Sequence, residues 1–292
     1  MFGELELVLD VKSSLGEGPC WDSVNQLLYW VDILEKKVYV FDPVTNKYRG
    51  IQLEQCVGAL ALTNRNEAVV ALEDGFYFLN FETENVTLID DPESHLPNNR
   101  FNDGKCDANG SFWAGTMSKS IDKEQGSLYC LHPNMKVQKK LDKVGISNGI
   151  AWSPDNKFLY YIDTLNENVC CFNYNVATGD ISNPVEIIKF QDEDGMPDGM
   201  TIDEEGMLWI AHWGGSKVSR WNPKTGKQIN SIDIPALNVT SCTFGGKDLN
   251  ELYITTARTG LDEEQLENYP FSGGLFRIKT DVKGTPSHTF KG

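Results

Sequence analysis

One pattern restricts this chain more than any other: strand-like runs of aromatic and β-branched residues return about every 45 residues. They are LLYWVDI (27–33), EAVVALE (67–73), SFWAGTM (111–117), FLYYIDT (158–164), MLWIAHW (207–213) and ELYITTA (251–257). Aligned at Leu28, Ala68, Phe112, Leu159, Leu208 and Leu252, they stand 40, 44, 47, 49 and 44 residues apart. Most are followed by a second run ending in a polar turn with Pro or Gly, as in VYVFDPVTNK and VSRWNPKTGK, which reads as a hairpin. Each repeat has room for about four short strands, the size of a propeller blade. The prediction is an all-β fold: one six-bladed β-propeller with four-stranded blades, a single domain over residues 1–292. The leading ELELVLDV is expected to add a strand to the last blade, closing the ring and removing its exposed edges. LDEEQLENY (261–269) is expected to be one short surface turn or helix at most.

Composition narrows the class of partner. The 292 residues carry 26 Lys+Arg against 42 Asp+Glu, a net charge of -16 at pH 7. No basic stripe offsets that acidity, so neither nucleic acid nor a membrane is an expected partner. No apolar run approaches the roughly 20 residues of a spanning helix. The start lacks a basic leader region, and the seven scattered cysteines form no CxxC pair. A cytoplasmic protein with reduced thiols and no obligate protein partner is expected. No phosphate-cradling glycine loop calls for a nucleotide cofactor.

The repeats also share a position ahead of each run. GEGPCWD (16–22), CVGALAL (56–62), FNDGKCD (101–107), ISNGIAW (146–152), MPDGMTI (196–202) and VTSCTFG (239–245) align there. A glycine recurs at 18, 58, 104, 149 and 199, with Ser241 in the sixth copy. Just before it stand Glu17, Val57, Asp103, Asn148, Asp198 and Thr240. In a propeller these positions are related by rotation about the central channel, so they would form a ring at one mouth. Glu17, Asn148 and Asp198 would then make an all-oxygen site of net charge -2, which a divalent cation would compensate. Ca²⁺ is favoured, with Mg²⁺, Mn²⁺ or Zn²⁺ as the other candidates. The bland alternative is that Asx-Gly pairs simply make turns. Asp192-Glu-Asp-Gly starts like a calcium-binding loop but has Pro197 where that loop needs glycine.

Taken in order, LGEGPCWD, RFNDGKCDANGSFWAGTM, GISNGIAWSPD, MPDGMTID and SCTFGGKDLNELYITTAR resemble the SMP-30/gluconolactonase/regucalcin family, which includes luciferin-regenerating-type proteins, over nearly the whole chain. The resemblance implies a six-bladed propeller with one divalent cation near its axis, held by Glu17, Asn148 and Asp198. It also implies opening of a sugar lactone, with Arg100 and Asn102 on the substrate's oxygens and Asp198 as catalytic base. Asp103 would be a substrate contact or a supporting group. One departure concerns the sugar: where related proteins carry a carboxylate shortly after AGTM, this chain has Ser118-Lys119-Ser120.

Rival readings have their own residues. Gly145-Ile-Ser147-Asn-Gly149 matches the nucleophile-elbow pattern, but that elbow needs a strand–turn–helix, whereas AWSPDNKFLYYID reads as strand, turn, strand. For Arg100 the alternative to a ligand contact is a surface ion pair. His212 is expected to be packed or solvated, with proton transfer as the alternative role. Trp21, Trp113, Trp152 and Trp209 are expected in the blade core. The expectation is a metal-dependent sugar lactonase. The alternatives are a calcium-binding propeller without turnover and a metal hydrolase acting on another ester.

Overall fold

The computed structural model describes residues 2–191 and 195–292. They form six antiparallel four-stranded sheets, the blades of a propeller. The innermost strands, Gly16–Asp22, Val57–Leu62, Asn99–Cys106, Ser147–Trp152, Met196–Ile202 and Asn238–Gly245, neighbour one another in that order round a ring. Blade one then runs outward through Leu27–Asp32, Lys37–Asp42 and Lys47–Gln52, and the next four repeat the plan. Blade six takes Glu251–Ala257 and Leu275–Lys279 from one end of the chain and Glu6–Leu9 from the other. The expected closure is therefore present, in the register Glu6↔Arg277 and Leu7↔Phe276. Glu6 Oε2 also accepts from Arg277 Nη2 at 2.6 Å.

Six apolar clusters hold the ring, each between two neighbouring blades. Val31, Val38, Val57 and Leu72 fill the space between blades one and two; Trp113, Ile150, Trp152 and Leu159 fill that between three and four. Both faces of an inner strand are covered, so runs such as Val57–Leu62 are buried at every residue instead of alternating. The four tryptophans named above are in these clusters, and Trp113 meets Trp152 edge-on at 5.9 Å.

Buried aspartates brace the blade corners. Asp107 accepts from the Ser111 amide, Trp113 Nε1 and Tyr174 Oη. Asp203 accepts from the Glu205 and Met207 amides, Trp209 Nε1 and Arg220 Nε. Both belong to the same spacing, Asp-x-x-Gly-x-x-Trp, at 107–113 and 203–209. The only α-helix among the described residues, Glu263–Asn268, is a surface turn capped by Asp262 and buries none of its residues. No described helix is long and apolar enough to cross a membrane.

The chain end crosses the face of the ring opposite the one where Arg100 stands. Gly284 N donates to Leu249 O, Phe290 N to Leu62 O and Lys291 N to Gly110 O. Phe290 is fully buried among residues of blades two and three.

Asp203→Ala is expected to cost about 3–5 kcal/mol, because it leaves Arg220 Nε, Trp209 Nε1 and two backbone amides without an acceptor, Glu205 holding only Arg220 Nη2. A urea midpoint within error of the unmodified protein would contradict this.

Candidate metal and substrate site

Every innermost strand breaks register with its neighbour at the same place. The shifts fall between Glu17 and Cys20, Val57 and Ala59, Phe101 and Gly104, Ser147 and Ile150, Pro197 and Met200, and Val239 and Ser241. A bulge re-aims the side chain it carries. The repeated Asx-Gly pairs are thus strand bulges and not the turns of the bland alternative. The ring's glycines serve close approach: a Cβ on Gly58, after Val57, would lie 2.3 Å from Asn102 O, and one on Gly149 2.7 Å from Asp198 O.

The ring brings the acidic positions together. Glu17 is 4 % exposed, Asp198 5 %, Asn148 5 % and Asp103 6 %, so these oxygens have left bulk water. Asp198 interacts side chain to side chain with both Glu17 and Asn148. Glu17 Oε2 accepts from Gly18 N at 2.7 Å, and Asp103 Oδ1 from Gly104 N at 2.7 Å. The other two ring positions add no carboxylate: Val57 is apolar, and Thr240 turns its hydroxyl to Gly16 O.

Asn148 is oriented from behind. Its Nδ2 donates to Thr164 Oγ1 at 2.9 Å, and that hydroxyl donates to Pro197 O at 2.8 Å. The amide oxygen accepts from Asn102 Nδ2 at 3.4 Å, which ties Asn148 to the neighbouring blade. Thr164 was not singled out by the sequence; it follows Asp163 in a short helical turn, and its repeat counterparts, such as Ile33 and Met117, share no polar group with it.

Arg100 and Asn102 stand beside this cluster. Arg100 Nη1 donates to Asn102 Oδ1 at 2.8 Å and to Phe101 O at 2.9 Å. Asn102 Nδ2 donates to Ser147 O at 2.9 Å. Arg100 makes no ion pair within the described residues, and its Nε and Nη2 find no partner there. A surface salt bridge is not its role.

Burial raises the carboxyl pKa of Glu17 well above its ordinary value, and the charges of Asp198 and Asp103 add to the rise. Asp198 is likewise raised, first by burial and then by Asp103, against the opposing bonds from Glu17, Gly199 N and Asn148. Burial also raises Asp103, while Lys105 and the Gly104 amide oppose it. Clustered buried carboxylates of this kind fit a hard divalent cation, and the donors are all oxygen. Among the described residues no three His, Cys, Asp or Glu side chains are arranged to hold a metal, so the candidate set depends on Asn148 as its third donor.

The remaining sequence candidates separate cleanly. Ser147 is fully buried in a strand, its Oγ accepts from Tyr161 Oη at 2.8 Å, and a strand follows the next turn. The elbow geometry is absent there. His212 is fully buried, bonded to Ser219 Oγ and edge-on to Phe190 at 5.4 Å. In the departing stretch Ser118 is buried and bonded to Asp122, and Lys119 pairs with Glu73 at 2.7 Å. The calcium-loop-like stretch starting at Asp192 falls on 192–194, outside the described residues.

A carboxyl with a raised folded-state pKa contributes stability below its unfolded value of about 4, and that contribution is lost as pH rises through the folded value. Chelated protein is therefore expected to be favoured less by this cluster at about pH 7.5 than at about pH 5. The rise in Tm on adding Ca²⁺ should be larger at the higher pH, and Glu17→Gln should shrink that difference. An equal rise at both pH values would count against the cluster as the cation site.

Comparison with known proteins agrees with the architecture. The family profile described as SMP-30/Gluconolactonase/LRE-like region matches residues 15–258. Among relatives, the Bacillus subtilis (strain 168) protein named "Putative sugar lactone lactonase YvrE" is 41% identical over 286 residues, covering 98% of each chain. Regucalcin of Xenopus laevis is 42% identical over 295 residues, covering 99% of each. A solved luciferin-regenerating enzyme superposes with a TM-score of 0.94 at 33% identity, covering 99% of each chain. The calcium-binding protein regucalcin from Agrobacterium tumefaciens str. C58 superposes with a TM-score of 0.95 at 29% identity, covering 99% of this chain and 97% of that one. On the profile match and these full-length likenesses, the chain belongs to the SMP-30/gluconolactonase/LRE-like family.

Proposed function

We propose that this protein hydrolyses a sugar lactone at the axial cluster, with Glu17, Asn148 and Asp198 as donors to one divalent cation. The observation that supports it most is the packing of buried Glu17 and Asp198 with Asn148, beside an Arg100–Asn102 pair whose guanidinium keeps unused donors. The relative named for sugar lactone hydrolysis favours the same chemistry. Ca²⁺ is the preferred ion, on the all-oxygen donors and on the likeness to a structure described as a calcium-binding protein.

The cation, when bound, supplies a Lewis acid that draws electron density from the lactone carbonyl. Asp198 takes a proton from the attacking water, whose oxygen bonds to the carbonyl carbon. The ring C–O bond then breaks, and the ring oxygen leaves as a hydroxyl carrying the proton that Asp198 returns. The product acid ionises at neutral pH and releases one proton to solvent. Arg100 and Asn102 orient the sugar by donating to and accepting from its hydroxyls. Asp103 holds its own amide bond to Gly104 and adds negative charge behind Asp198.

A second reading, calcium binding without turnover, is favoured by likeness to that same calcium-binding protein. Proton release from glucono-δ-lactone, corrected for spontaneous opening, separates the two. Turnover is expected to fall to background with chelator and to return with Ca²⁺. Asp198→Asn should lower kcat by about 10²–10⁴-fold. Arg100→Met should act mainly on KM. Ser147→Ala should keep turnover within a few-fold; loss there, with indifference to chelator, would replace this mechanism by a serine one. Metal binding without turnover of any sugar lactone would favour the second reading.

A further inference from the structure

The opposite face of the ring holds a cavity of about 210 Å³ that the proposed reaction does not use. It lies where the innermost strands of blades three, four and five end, and residues 285–288 line one side of it. Its walls include Lys105, Trp152, Asn156, Thr201, Thr285 and His288.

In a chain of net charge -16, no carboxylate among the described residues lines this cavity. Lys105 Nζ donates to Met200 O at 2.7 Å, and its other two N–H groups have no hydrogen-bond acceptor among the described residues. The one carboxylate it influences most directly, Asp103, stands on the axial side. Thr201 is 8 % exposed, yet its hydroxyl makes no hydrogen bond within the described chain. The His288 ring and the Thr285 hydroxyl have no hydrogen-bond partner there either. Lys291 lies close enough to act on His288. The acid acting on that ring, Asp107, is fully buried and already accepts from Ser111, Trp113 and Tyr174. One ammonium, an imidazole that burial holds below its ordinary pKa, two hydroxyls and an amide thus converge on this space.

We propose that this cavity is a second binding site, for a small hydroxylated carboxylate, with Lys105 as its charge partner and Thr201 and His288 as hydrogen-bonding groups. The site stands on these residues alone, while the choice of an aldonate as its ligand rests on the lactonase reading. Lys105 and Asp103 share one strand, so an anion bound on this face would act on the same ammonium that faces the axial acids.

Titration calorimetry of calcium-loaded protein with sodium gluconate, and separately with sodium phosphate, tests the proposal. A gluconate-binding event is expected that survives Arg100→Met, weakens at least tenfold in Lys105→Met and weakens several-fold in Thr201→Val. Gluconate binding that vanishes with Arg100→Met and ignores the other two variants would overturn the site. Phosphate binding with the Lys105 dependence, in the absence of gluconate binding, would overturn the ligand class. No binding of either anion would overturn both. If Lys105→Met does not fold, Thr201→Val and His288→Gln carry the same comparison. None of these readouts uses turnover, so failure of the lactonase reading would appear in proton release and not here.

Discussion

The constraint on which the molecule depends is how closely six backbones can approach one axis. Neighbouring inner strands come near enough at Gly58 and Gly149 that a methyl group would strike the next blade's carbonyl. The bulge at each of these places turns the preceding side chain out of its own sheet. Tight closure and a crowded axial cluster are therefore one event. Bringing the blades together far enough to bury their apolar faces also brings Glu17, Asp103 and Asp198 out of water together.

That coupling divides the energetics of the fold. Interblade apolar clusters favour closure, while the carboxylates at the axis oppose it through desolvation and mutual repulsion. Other buried acids carry no such conflict. Asp107 and Asp203 are fully buried but saturated with donors, Asp203 by an arginine as well. Burial alone therefore does not distinguish a structural carboxylate from one suited to chemistry; the difference lies in whether the chain supplies its partners.

Much of this was legible in the sequence because a propeller writes its period into the chain. Strand runs at 40 to 49 residues carry the blades, and the closing strand followed from a leftover leading segment. Glu17, Asn148 and Asp198 were visible because they share a register, and the folded chain does bring them together. The role of the adjoining glycines was not, since a strand bulge and a turn use the same residues. Thr164 stayed hidden because it closes the run FLYYIDT, where the other runs carry no shared polar residue. The saturated aspartates had a recurring Asp-x-x-Gly-x-x-Trp spacing that could have exposed them. The terminal segment across the opposite face has no periodic counterpart, so nothing in the pattern announced where it would lie.

Pairing of Glu6–Leu9 with Leu275–Lys279 has a further consequence, for the newly made chain. The first strand to emerge is the last to find its neighbour. At roughly 5–20 residues per second, its partner follows on the order of 15–55 s later. During that interval five blades can assemble in order of synthesis, but the arc stays open, with the apolar face that blade six will cover left bare at each end. The ring's single seam thus confines the exposure of those two faces to the time before completion, and closure ends it.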